Sequence, residues 1–315
     1  MANCRGRLLA LLMVASSASF GATATEALAF PLPHGASRPV FSPDGKQIAF
    51  RAPAGLCILD LESRKTRTLL PPGQVDSGLT FAPDGESLYF LRRDPAQPEI
   101  NELHRYWISS GKTKKLLSRV ASAVAFSPDG ESMVFLHQVK PGFLEVWVAS
   151  PDGGGGRKLM AANYLSTDTW FPDADRVATD GAGRILLTAS PRTGETKSVS
   201  TGINCLSMIW PTAKSGMFAI QTQAIHLGLQ YGQIWHREAD NNWNQITKDA
   251  SGFSELVGIT SDGATLAAIR PVFSSGFLEG LVGAFASMFP TQSPLNQVKG
   301  KHIDRYDLVL LRLGR

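Results

Sequence analysis

Cysteine is scarce in this chain of 315 residues: there are three copies, and none stands in a Cys-x-x-Cys pair. The six histidines form neither HxH nor HExxH, so the common zinc spacings and a thioredoxin-type redox motif are excluded. Charge is thin as well, at 18% of residues, with 31 basic against 27 acidic. So small an excess implies no nucleic-acid partner. A GxSxG elbow, a phosphate loop and the kinase signatures are all missing, which removes the usual footholds for acyl and phosphoryl transfer.

What the chain has in quantity is glycine and proline, 30 and 19 copies, placed at regular intervals. The stretch "FSPDGKQIAF" from Phe41 returns as "FAPDGESLYF" from Phe81 and "FSPDGESMVF" from Phe126. Proline presets φ for the second position of a type I turn, aspartate bonds back to the local backbone, and glycine accepts positive φ. That chemistry predicts three-residue hairpin turns, and the alternation of Ile48 with Phe50 and of Leu88 with Phe90 predicts half-buried strands beside them. A worn copy follows in "WFPDADRVAT", so Asp44, Asp84, Asp129 and Asp173 lie 40, 45 and 44 residues apart. A fifth copy, "IWPTAKSGMFAI", has lost the Asp-Gly pair, whereas a sixth, "GITSDGATLAAI", keeps Asp262 and Gly263.

Each unit has room for four short strands; in the third they are "SAVAF", "SMVFLHQ", "FLEVWVAS" and "RKLM". Six such units predict an all-β fold, a six-bladed β-propeller of four-stranded antiparallel blades filling residues 25–315. The last unit runs out one strand short. The missing strand is expected at the other terminus, where "ALAFPLPHG" precedes the first repeat as "TRTLLPPG" precedes the second. Before it, Arg5 and Arg7, the apolar run "LLALLMVASSASF" and the small residues of "GATATEALA" have the layout of a secretory signal peptide. It is expected over residues 1–24, with cleavage near Ala24 or Ala27 and the mature chain periplasmic or secreted. The apolar run is shorter than the ~20 residues that a membrane span needs. Without Arg5 and Arg7 the charge excess falls to +2. The basic clusters at 63–67 and 111–115 read as solvated edge strands, which often carry lysine against edge-to-edge pairing.

The recurrent "FSPDGKQIAF", followed by strand-rich text and a basic outer strand, resembles the WD-like repeat of the TolB-type propellers. The resemblance covers nearly the whole mature chain. It implies the fold and a protein-binding or scaffold role, without the α/β domain that precedes the propeller in TolB, for which the chain has no room. Similar repeats form noncatalytic propellers of prolyl-oligopeptidase-like peptidases and sensor ends of bacterial kinases, but their catalytic domains have no counterpart here.

Candidate chemistry is sparse. The repeated aspartates suggest calcium at first sight, yet each is followed by glycine instead of further oxygen ligands, so turn formation is expected. His226 and His236 flank "LGLQYGQIW", and a hairpin centred near Tyr231 would set them side by side. Trp107, Trp147 and Trp235 are expected to pack between blades. Cys57 and Cys205 are expected as buried free thiols, with a disulfide left open. The least ordinary stretch is an insertion in the last unit, about 271–303. In it Phe277, Leu278, Leu281, Phe285, Met288 and Phe289 form one apolar stripe of a helix of about 13 residues, capped by Ser274 or Ser275 and stopped by Pro290. These six residues are the expected partner-binding set. The function expected is a noncatalytic, monomeric, exported module for a protein partner, with no cofactor, metal or catalytic residue; the insertion offers peripheral membrane contact as its other use. The alternatives are a propeller enzyme of the lyase or lactonase type with a small-molecule site in the central channel, and a sensor of glycans or peptides.

Overall fold

The computed structural model describes residues 24–32, 36–162, 168–180, 185–203, 205–209, 216–226, 229–237, 242–249, 252–260, 262–275 and 301–314. They form 24 strands in six four-stranded antiparallel sheets, and among the described residues there is no helix. Strand β1 (Ala24–Pro31) comes first in the chain and is used last. Blade 1 holds β2 (Ser37–Phe41), β3 (Gln47–Ala52), β4 (Gly55–Asp60) and β5 (Thr66–Leu70). Blade 2 holds β6 (Ser77–Phe81), β7 (Ser87–Arg93), β8 (Asn101–Trp107) and β9 (Thr113–Ser118). Blade 3 holds β10 (Ala125–Phe126), β11 (Met133–Lys140), β12 (Phe143–Ala149) and β13 (Arg157–Ala161). Blade 4 holds β14 (Thr169–Asp173), β15 (Arg176–Asp180), β16 (Ile185–Ala189) and β17 (Thr196–Ser200). Blade 5 holds β18 (Cys205–Ile209), β19 (Met217–His226), β20 (Leu229–Arg237) and β21 (Trp243–Gln245). Blade 6 holds β22 (Glu255–Ile259), β23 (Thr265–Ser275) and β24 (Lys301–Leu313), and β1 completes it on the outside.

The repeated turn works as its residues require. Gly45 N–H donates to the Ser42 carbonyl at 2.9 Å and Gly45 has φ of 71°, a type I turn closed by a left-handed residue. The Asp44 carboxylate accepts from the Ser42 hydroxyl at 2.6 Å and from Lys46 N–H at 3.0 Å. Asp129 and Asp262 make the same pair of bonds, and so does Asp152 in the loop between β12 and β13. The hydroxyls of Ser42 and Ser127 hold the Asp44 and Asp129 carboxyls below their usual pKa. These carboxylates are spent on turn geometry.

Stability comes from the faces that blades press together. Ala49, Leu56 and Ile58 of blade 1 meet Leu88, Phe90 and Tyr106 of blade 2, and comparable clusters join blade 2 to 3, 3 to 4 and 5 to 6. Phe50 and Phe90 are essentially solvent-free, and full burial of such a side chain contributes about 1.5–3 kcal/mol. The ring closes through a cluster in which Ile48, Phe50, Cys57 and Leu59 of blade 1 pack on Ala267, Ile269, Leu308 and Leu310 of blade 6. Cys57 is a buried free thiol, as expected. The closing strand is also where the sequence puts it: β1 pairs with β24 from Ala24 opposite Leu313 to Pro31 opposite Asp307. The outermost strands β5, β9, β13 and β17 expose Thr-Arg-Thr, Thr-Lys-Lys, Arg-Lys and Thr-Lys-Ser, so the basic clusters are solvated edges.

Candidate functional site

The ring has two unlike ends. The Pro-Asp-Gly turns and the loops from third to fourth strand gather at one, the turn end. The hairpins joining second to third strand gather at the other, and at this hairpin end the blades differ in height. Second and third strands have five to eight residues in blades 1 to 4, but ten and nine in blade 5 and 11 and 13 in blade 6. Beyond Ile269, where β22 stops pairing, β23 and β24 continue together to Ser275 opposite Lys301. Two adjacent ribbons therefore rise on one side of this end. The exposed large hydrophobic residues among those described, Val139, Phe143, Ile185 and Tyr306, also lie on second-to-third-strand hairpins. Lys140 Nζ sits 4.0 Å from the Phe143 ring centroid.

The insertion is thereby narrowed. Pro271–Ser275 and Lys301–Ile303, read from sequence as part of it, are paired strand, with Ser274 opposite His302 and Ser275 opposite Lys301 on the ladder. The helical stripe and its six residues, Phe277, Leu278, Leu281, Phe285, Met288 and Phe289, lie outside the described residues.

The inner strands β2, β6, β10, β14, β18 and β22 line the axis, and among their residues only Arg38, Asp173 and Glu255 carry a charge. Asp173 is held at the turn end by Arg176 at 2.5 Å. No group of three or more His, Cys, Asp or Glu suited to a metal occurs among the described residues. The paired-histidine reading fails for a geometric reason: the turn of the blade 5 hairpin falls after His226, which faces Leu229, while His236 faces Phe218. Seven residues of strand separate the two, roughly 23 Å. His236 stacks on Phe218 with centroids 4.5 Å apart. Trp147 and Trp235 occupy matching rungs, opposite Phe135 and Ala219, but Trp107 lies past them, opposite Ser87 and under the Arg105 guanidinium at 4.9 Å.

One polar cluster is buried between blades 1 and 2. His104, stacked on Phe90, lies 3.0 Å from Glu102, and Lys115 completes the set from the neighbouring strand. Blade 3 repeats the layout with Glu145, Trp147 and Lys158. Sequence reading missed both because each lysine is 13 residues from its glutamate, across a bulged rung. Burial pushes the His104 pKa below its ordinary 6.5, the Glu102 contact opposes this, and the Arg92 charge reinforces it. Lys115 holds the Glu102 carboxyl below its ordinary 4.5 against the effect of burial.

Both folded-state values are depressed, so the unfolded chain binds the extra protons. The stabilisation is complete above pH 6.5, falls as pH drops through the folded pKa of His104, and falls again below 4.5 as Glu102 is protonated. His104→Leu should remove up to one proton's worth of slope below pH 6.5, about 1.4 kcal/mol per pH unit, in urea midpoints measured from pH 8 to 5. His137, whose pKa is also lowered by burial, contributes slope of the same sign. An unchanged profile would place the acid sensitivity elsewhere.

No family model matches the sequence, and no curated relative does. Solved structures do match. A chain of the mitotic checkpoint complex aligns over 98% of this chain and 99% of its own length at 12% identity, with a TM-score of 0.53. The chain is a six-bladed β-propeller. An oligogalacturonate lyase in complex with manganese aligns with this propeller over 90% of it and 79% of the lyase, at 14% identity and a TM-score of 0.54. TolB from Acinetobacter baumannii aligns over 66% of it at 16% identity and a TM-score of 0.52. The propeller spans about half (53%) of the TolB chain. Identities this low carry the fold and leave the function to the site.

Proposed function

We propose that the protein is an exported propeller that binds a protein partner at its hairpin end. The observation that carries this reading is the asymmetry of that end: the ribbons of blades 5 and 6 stand above the rest, and the longer one leads into the segment that holds Phe277, Leu278, Leu281, Phe285, Met288 and Phe289. A rigid ring that raises one wall beside its axis presents contact surface at little conformational cost, because the blades are ordered before the partner arrives. The mitotic checkpoint complex, among the structural neighbours, supports a binding role by analogy of fold. Phe277, Leu278, Leu281, Phe285, Met288 and Phe289 supply the apolar contact. Alanine at Phe277, Leu281, Phe285 and Phe289 together should leave the melting temperature within about 2 °C and reduce a partner captured from the native envelope at least tenfold, a loss of about 1.4 kcal/mol. Capture at full strength by the quadruple variant would end this reading.

The second reading, a lyase with its site on the axis, is favoured by the 90% coverage of the manganese-bound oligogalacturonate lyase. It is supported less well, since polysaccharide cleavage needs convergent acid, base or metal groups and the inner strands carry three charged residues in all. Incubation with oligogalacturonate and manganese, followed by absorbance of an unsaturated product, separates the two: turnover would favour the lyase.

A further inference from the structure

We infer that the exported chain is cleaved between Ala24 and Thr25, so that processing delivers the strand that closes the ring. The inference rests on the export reading above and goes beyond it in fixing one bond. The sequence offers more than one place to cut. Ala22-Thr23-Ala24 and Ala27-Leu28-Ala29 both provide small residues at the positions a signal peptidase reads, and Thr25-Glu26-Ala27 is a weaker third. The peptidase acts on an unfolded chain and ignores the ring; the products differ in whether they can close it.

Seven β1 residues pair with β24: Ala24, Thr25, Glu26, Leu28, Ala29, Phe30 and Pro31. Cleavage after Ala24 keeps all but the first and costs one further contact, the bond from Ala24 N–H to the Ile246 carbonyl. Cleavage after Ala27 removes Glu26, whose carboxylate lies 2.6 Å from Arg270. Cleavage after Ala29 leaves only Phe30 and Pro31 on the ladder and also removes Leu28, which packs on the cluster between blades 6 and 1. The β24 edge would then stand open along most of its length, an invitation to pairing between molecules. Because Ala24 faces Leu313, the new N-terminus and the C-terminal end of β24 emerge together at the turn end. The hairpin end stays clear of both.

The test begins with the full chain, Met1 to Arg315, expressed in a bacterial host and recovered from the exported fraction for intact-mass measurement. A mass beginning at Thr25 is expected. A start at Leu28 or Phe30 overturns the assignment while leaving export intact, and a folded protein that retains Met1 overturns the export reading itself. Ala24→Phe should block or displace cleavage and Ala29→Phe should not; the reverse pattern overturns the site. Chains produced without a leader and starting at Thr25, Leu28 and Phe30 should melt in descending order, the last lower than the first by about 10 °C or more. Equal melting temperatures would sink the closing-strand half of the inference.

Discussion

Arg270→Met is expected to cost about 2–4 kcal/mol, placed below the upper end of the range for breaking a buried ion pair because part of the site reaches solvent. Three carboxylates from three parts of the chain meet at this guanidinium. Glu26 of β1 lies at 2.6 Å, Asp249 of the link between blades 5 and 6 at 3.0 Å, and Asp307 of β24 at 3.7 Å. Burial disfavours the charge on Arg270, but bonds from Glu26 and Asp249 outweigh it and raise the pKa above the ordinary value. Without the cation, Asp307, whose side chain is 9% exposed, keeps Arg305 at 2.9 Å, and three like charges remain close together. Lysine should restore only part of the loss, since one ammonium cannot span three carboxylates as a planar fork does. Urea midpoints of wild type, Arg270→Met, Arg270→Lys, Asp249→Asn and the Arg270→Met/Asp249→Asn double variant would measure this, with a coupling of about 1–2 kcal/mol expected for the pair. A loss below about 0.5 kcal/mol for methionine would mean that the ring is held by apolar burial and strand pairing alone.

The parts of this fold that could be read in sequence are those whose physics is local or periodic. Ser42 through Gly45 make their turn with one another, so three good copies of the motif announce three hairpins, and the spacing announces the rest. The closing strand was legible because "ALAFPLP" stands before the first repeat as "TRTLL" stands before the second, and both prove to be fourth strands, β1 and β5. The latch at Arg270 was not legible, because Glu26 is 244 residues away and nothing near Arg270 hints at it. Pro271 misled in the opposite sense. It stands where the insertion was expected to begin, yet it continues β23: β22 ends beside Ile269, so Pro271 has no inner neighbour on β22 that would need its missing N–H. The blade 5 hairpin was misplaced by symmetry: "LGLQYGQ" looks centred on Tyr231, but the ladder runs from Met217 opposite Arg237 to His226 opposite Leu229, which puts Tyr231 within β20, opposite Ala224. Thus the candidate site was legible as an unusual segment and illegible as a shape, since hairpin height depends on where neighbouring strands stop.

Gly55→Ala is the other substitution expected to do large damage, more than about 3 kcal/mol, because a strained φ and a backbone collision act together. Gly55 opens β4 just after the tight turn at Pro53 and Ala54, with φ of 116°, where side chains are essentially forbidden. A Cβ there would stand 2.0 Å from the Leu70 carbonyl oxygen and 2.7 Å from the Pro71 carbonyl carbon. Backbone cannot swing aside as a side-chain tip can, so relief requires moving the end of β5, whose Leu70 pairs with Leu56, and Leu56 is fully buried between blades 1 and 2. Gly142→Ala is the matched control. It occupies the equivalent hairpin of blade 3 at φ of 77° with nothing within 4 Å of the added carbon, so it bears only the left-handed penalty of about 1–2 kcal/mol. The difference between the two urea midpoints isolates the collision. Equal losses at both glycines would mean that β5 yields freely, and the outer strand would then be a loose cover on blade 1 instead of a wall fixing the width of its hairpin.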